Sequence, residues 1–136
     1  NIQNINFTSY ENELIQVLMN IFINAKDALA NRKSEKLIIV VIKQIEDNLV
    51  IKIKDNAGGV DSSIIDKIFE PYFTTKHQFN GTGIGLYMSK LIVEKHLIGE
   101  ISVKNIDFIF NSKTYRGALF ELVLPLNITN KKETQS

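Results

Sequence analysis

"LIIVVIKQIEDNLVIKIKDNAGGV", residues 37–60, holds two apolar runs split by the polar triplet Glu46-Asp47-Asn48. Runs rich in β-branched residues and broken by turn formers read as the two strands of a hairpin, turning at Glu46 to Asn48. The second run carries apolar side chains at 49, 51 and 53, the period of two of a sheet with one buried face. It ends in Asp55 and enters Gly58-Gly59 almost at once. This is ordinary turn punctuation, and it is also a way to fix a carboxylate at a sheet end beside a backbone that another group can approach closely.

Outward from the hairpin the periodicity changes. Residues 11–30 have a helical pattern that Ser9 or a neighbour can cap, and residues 2–8 alternate like a short strand. Downstream, "SSIIDKIF" (62–69) reads as a short helix and "GIGLYMSKLIVEKHLI" (83–98) as a longer one stopped by Gly99. "EISVKN" (100–105) and "GALFELVLP" (117–125) supply closing strands, and the polar tail 129–136 is expected to fray. Hairpin-linked strands with segregated helices predict an α+β domain over 1–128. Its architecture is a two-layer sandwich with a mixed, mostly antiparallel sheet of about five strands and helices on one face.

Composition excludes several functions. The 136 residues, 44% of them hydrophobic, suit one domain with a sizeable core. A net charge of +1, spread along the chain, leaves no basic footprint for nucleic acid. The absence of cysteine excludes thiolate metal sites, disulfides and thiol catalysis. The longest aliphatic run, residues 37–42, falls far short of the roughly 20 apolar residues of a membrane span. The segment is therefore not expected to be membrane-inserted. The chain starts at Asn1 with neither Met nor a leader pattern, as expected of a piece of a longer protein.

Within the first helix, Gln16, Asn20, Asn24 and Asp27 fall in one stripe about 80° wide, flanked by apolar residues. Such a stripe is the wet face of an ordinary amphipathic helix, or a site. Asparagine is a poorer helix former than Lys or Glu, and two of them one turn apart suit a polar ligand. Amide oxygens suit a hard cation such as Mg²⁺, which completes its shell with water and phosphate. Asp55, an acceptor only when ionised, would select adenine, whose exocyclic amine donates where guanine has a carbonyl. "GTGIGL" (81–86) places Gly81, Gly83 and Gly85 at a helix start, where free N–H groups attract phosphate, or where they simply make a turn. Its G-x-G-x-G spacing matches neither the dinucleotide nor the Walker-type loop. Phe69, Tyr72 and Phe73 would anchor a segment carrying Lys76, whose mobile tip is built like a lid.

Together, "QVLMNIFINAKDAL", "DNAGGV", "IFEPYFTTK" and "GTGIGL" resemble, in order, the N box, first glycine box, F box and second glycine box of bacterial sensor histidine kinases. That family shares a Bergerat-type ATP-binding fold with DNA gyrase, mismatch-repair ATPases and a heat-shock chaperone. The resemblance runs from about Tyr10 to Pro125. It implies ATP and Mg²⁺ as ligands, with Asn24 on the metal and Asn20 beside the phosphates. It further implies Asp55 on the adenine amine and Gly59 below the ring. Asp27, Lys76, Gly81, Thr82, Gly83, Gly85 and Leu86 complete the nucleotide site, with Asn20 and Lys76 in catalytic roles. In hydrolysing relatives a glutamate matches Asn20; an amide is a poor base, so slow hydrolysis is implied.

The two histidines, His77 and His96, lie in no acceptor segment. The implied partners are the protein's own dimerisation and phosphoacceptor domain and a response regulator, in the cytoplasm. An ATP-driven conformational switch and a non-catalytic nucleotide-binding module are the alternatives.

Overall fold

The computed structural model describes residues 10–71, 73 and 84–127. The expected strand at 2–8, Tyr72, Lys76, His77, Gly81, Thr82, Gly83 and the tail lie outside the described residues. The elements are α1 (Glu11–Leu29), β1 (Ile38–Ile45), β2 (Asn48–Asp55), a 3₁₀ turn (Ile65–Lys67), α2 (Gly85–Leu91) continued by a π-helical turn (Ile92–His96), β3 (Glu100–Phe110) and β4 (Lys113–Pro125). Every strand pair is antiparallel, in the order β1-β2-β4-β3, and the helices cover one face. The α+β two-layer reading holds, with four strands among the described residues.

α1 buries Val17, Ile21, Ala25 and Leu29, the i, i+4 stripe that a helix turns toward a sheet. Val17 and Ile21 share one core with Leu49, Ile51 and Ile53 of β2 and Phe120, Leu122 and Leu124 of β4, while Val93 and Leu97 close it from the π-helical turn and its exit. The opposite sheet face carries polar pairs such as Lys52–Glu121 at 3.6 Å. The apolar coat of α1 is only partly used: Ile15, Met19 and Ile23 remain about half exposed. Phe69 meets Phe120 edge to face, with centroids 6.3 Å apart, and Phe73 packs on the core; the Lys76 segment that the sequence reading has them anchor lies outside the described residues.

Several boundaries differ from the sequence reading. Tyr10 occupies the N-cap of α1 without a side-chain cap. The expected helix at 62–69 is a single 3₁₀ turn. β3 and β4 extend past 105 and start before 117, respectively, into one long hairpin through Asn111 (φ 49°) and Ser112 (φ 65°). Two positive φ angles are what a two-residue hairpin turn with the sheet's own twist demands, and Asn-Ser is a weaker signal for it than Asn-Gly.

The end of the second helix also has a different cause from the one expected. Ile98, not Gly99, adopts the left-handed conformation (φ 53°), and the Gly99 N–H donates to the Val93 carbonyl six residues back at 2.8 Å, capping the π-helical turn. Gly99 is needed for space: a Cβ there would lie 2.4 Å from the Val123 carbonyl oxygen and 2.7 Å from Leu124 Cδ2. Gly99→Ala should therefore destabilise the fold by about 2 kcal/mol through overpacking, read as a lowered Tm. An unchanged Tm would show that the π-helical turn and β4 can part freely.

Candidate functional site

The ladder with β1 carries β2 to its last residue, Asp55, opposite Ile38, and the residue is only 4% exposed. Asp55 Oδ1 accepts the N–H groups of Ala57 at 3.0 Å and Ala118 at 3.3 Å. Its other oxygen meets no donor among the described residues. Burial pushes the carboxyl pKa above its ordinary 3.8, and the two N–H groups only partly offset this. Ionised Asp55 therefore costs the empty fold stability: the contribution is intact below the ordinary value and is lost as pH rises through the raised one.

This carboxyl sits where it does because β4 presses against β2. A Cβ on Gly117 would lie 1.6 Å from the Asp55 carbonyl oxygen and 2.9 Å from its Oδ1. No side chain fits there, and the sequence reading took Gly117 only as the start of a strand. Asn56, also unassigned by that reading, is 1% exposed and grips the approach to β1. Its Nδ2 donates to the Glu35 carbonyl and its Oδ1 accepts from Leu37 N–H, both at 2.9 Å. The Tyr115 hydroxyl reinforces the same segment, donating to the Glu35 carboxylate at 2.7 Å. An Asn after a strand-end Asp also reads as a turn, so only the fold reveals its second task.

Beyond Asn56 the loop takes positive φ at Gly58 (102°) and Gly59 (90°), as glycine permits. The Gly58 N–H donates to the Arg116 carbonyl at 3.0 Å, tying the loop to β4.

The other half of the site lies between α1 and α2. Asn20 Nδ2 donates to the Gly85 carbonyl at 3.2 Å and to Ser89 Oγ at 3.0 Å; Ser89, fully buried, donates in turn to the Gly85 carbonyl at 2.9 Å. The amide's donor end thus joins the two helices, and its oxygen has no partner among the described residues. Ser89 was not singled out in the sequence; its spacing of four from Gly85 is the only local hint. One turn along α1, the half-buried Asn24 makes no side-chain hydrogen bond among the described residues. Asp27 is exposed on the same side of the helix.

Gly85 has room to spare, since its Cβ would be 3.8 Å from Asn20. Leu86 packs against the core through its side chain. His96 is exposed, with its ring edge-on to Tyr10 at 6.2 Å. Among the described residues no group of three or more His, Cys, Asp or Glu side chains could hold a metal. The Asn20 amide oxygen, beside α2, and the Asn24 amide, one turn along α1, are oxygen ligands without a partner among the described residues. They fit a hard cation that keeps most of its shell from water and phosphate.

The architecture and the order of motifs agree with comparisons against known proteins. The family described as histidine kinase-, DNA gyrase B-, and HSP90-like ATPase matches residues 9–128. The chain is 40% identical over 114 residues to the signal transduction histidine-protein kinase AtoS of Escherichia coli K12, covering 84% of this chain and 17% of the relative. It is 37% identical over 118 residues to the sensor histidine kinase ZraS of the same organism, covering 87% of this chain and 23% of the relative. The chain thus spans less than a quarter of the length of these two relatives. Among solved structures, the catalytic domain of histidine kinase ThkA superposes with a TM-score of 0.71 at 24% identity, over 89% of this chain and 72% of that one. The mycobacterial sensor histidine kinase MprB gives 0.70 at 22%, over 89% and 77%. At those identities the structures speak for the fold, and the sequence matches speak for descent: the chain belongs to the histidine kinase-, DNA gyrase B- and HSP90-like ATPase family.

Proposed function

We propose that this domain binds Mg-ATP and presents the γ-phosphate to a histidine on a separate helical phosphoacceptor domain, within a two-component signalling protein. The observation that carries the reading is the buried Asp55 carboxyl, with one oxygen held by two backbone N–H groups and the other without a donor among the described residues. A buried acceptor of that kind is completed by a ligand that donates, as the adenine amine does. The names of AtoS and ZraS as histidine kinases support phosphotransfer as the outcome. The downstream partner is then a response regulator, and the domain works in the cytoplasm. No helix among the described residues is long and apolar enough to cross a membrane.

In this reading Asp55 orients the base and Gly59 lies below the ring. The Asn20 and Asn24 oxygens face the phosphate end, where Asn24 holds Mg²⁺. When bound, the metal neutralises phosphate charge. The room at Gly85, which no described residue fills, admits a phosphate close to the start of α2. Gly81, Thr82, Gly83 and the Leu86 main chain extend the same wall, Asp27 lies at its edge, and Lys76 closes on the terminal phosphate. Asn20 presents an amide that cannot take a proton from water, so the domain positions ATP for another nucleophile instead of hydrolysing it.

Binding of a donor favours the ionised form of Asp55, so ATP affinity should climb as pH rises through its raised pKa. Asp55→Asn should remove that slope. Its amide oxygen keeps the two N–H bonds and turns an NH₂ toward the base, lowering ATP affinity by about 100-fold and favouring GTP. Calorimetry with ATP and GTP across pH reads both effects. Equal wild-type affinity for the two nucleotides would end the assignment.

The metal role is separable from the base. Asn24→Leu should abolish the gain that Mg²⁺ brings to ATP binding while leaving adenosine affinity within about twofold, because the amide serves the phosphate end only. An undiminished Mg²⁺ effect would make the α1 stripe a wet face.

The overall reading is tested with γ-labelled ATP. The chain alone should stay unlabelled and release phosphate slowly, and its phosphoacceptor domain, added as a second polypeptide, should become labelled on histidine. Brisk multiple-turnover hydrolysis without a partner would favour the conformational-switch ATPase, and self-labelling at His77 would overturn a separate acceptor.

A further inference from the structure

Asn105 lies on β3 opposite Ala118 of β4, on the sheet face that carries the core. Its side chain is engaged 45 residues upstream, with the main chain of one residue. Asn105 Nδ2 donates to the Val60 carbonyl at 2.6 Å, and Asn105 Oδ1 accepts the Val60 N–H at 2.7 Å. Donor and acceptor are both satisfied, so the amide takes the part that a neighbouring strand would play for Val60. No backbone–backbone hydrogen bond among the described residues reaches Gly59 or Val60. The loop from Asp55 is therefore held from two sides. Upstream, Ala57 and Gly58 are tied to Asp55 and to β4. Downstream, its polar restraint is a single side chain.

That restraint also sets the position of Gly59. A Cβ on Gly59 would lie 2.7 Å from Asn105 Oδ1, so the amide presses directly under the residue whose φ is 90°. The geometry points to Asn105 as a positioning residue for base recognition: it touches no part of the nucleotide and sets the height of the Gly59 main chain against the Asp55 carboxyl. This rests on the reading that Asp55 and Gly59 face the base. It adds that the distance between them, and with it the purine preference, is controlled from β3. The phosphate end, built from α1 and α2, is independent of it.

The test is binding to the 136-residue chain. Asn105→Ala removes both bonds to Val60, and Asn105→Ser leaves a hydroxyl able to replace one. Affinities for adenosine, ADP and ATP should all fall by the same factor, about tenfold for the alanine variant and less for serine. The ATP-to-GTP preference should shrink in the same order, and the gain from Mg²⁺ should persist. A merely structural role would lower Tm without a graded change in purine preference. If the alanine variant does not fold, the serine variant carries the same comparison.

A folded variant with wild-type adenosine affinity and an unchanged ATP-to-GTP ratio would overturn the proposal. So would a loss that grows with the number of phosphates, since Asn105 would then act at the other end of the site. Should the wild-type chain itself show no preference between ATP and GTP, the Asp55 reading falls first and this inference with it. A selective wild type with indifferent Asn105 variants sinks this inference alone.

Discussion

A carboxylate taken out of water at the end of a strand organises much of this domain. Asp55 loses most of its hydration on folding, and two backbone N–H groups return only part of what water supplied. The Ala57 N–H comes from the local turn, whereas the Ala118 N–H depends on β4 lying hard against β2, which in turn requires that residue 117 have no side chain. The same closeness brings the Gly58 N–H to the Arg116 carbonyl and so begins the loop. A fold that wanted only a stable hairpin would place an apolar residue at 55, as it does at 49, 51 and 53. A buried carboxyl with one oxygen lacking a donor among the described residues is the kind of group that a ligand completes.

The helical side is arranged differently. There the core is apolar, and a polar seam, Asn20 with Ser89 and the Gly85 carbonyl, sets the register of α2 on α1. Hydrogen bonds of this kind add little net stability, but a slipped pairing would take the Asn20 NH₂ away from the Gly85 carbonyl and the fully buried Ser89 hydroxyl oxygen, leaving those acceptors one donor short. The Asn20 NH₂ thereby holds the helices together, while its oxygen and the Asn24 amide have no hydrogen-bond partner among the described residues. A carboxylate in its place could accept but not donate, and it would lose the grip on Gly85 and Ser89.

The two halves therefore carry different restraints. The half around Asp55, proposed above to take the base, is stitched by side-chain amides to main chain, with Asn56 on residues 35 and 37 and Asn105 on Val60. The half proposed to take the phosphates is built on helix packing, and its amide oxygens have no partner among the described residues. Selection of a flat, rigid base calls for fixed geometry, whereas phosphates and a hydrated cation tolerate more variation.

Linear order sufficed for whatever depends on local spacing. The period of two in β2, the i, i+4 stripe of α1, the strand-end Asp55 and the order of the four motifs were all legible, because each is set by residues a few positions apart. The polar stripe of α1 was legible too, though not which ends of its amides were committed. Contacts between distant residues were not. Gly117 looks like any strand glycine until β4 is laid against Asp55, 62 residues earlier. Asn105 looks like the end of a strand until it reaches Val60, and Ser89 looks like an ordinary helix residue until it meets Asn20. The long β3–β4 hairpin was hidden because its turn takes positive φ at Asn111 and Ser112, which the surrounding ladder imposes and neither residue announces. Steric exclusion and buried hydrogen bonding act across space, so chain order alone holds no record of them until the sheet and helices have closed.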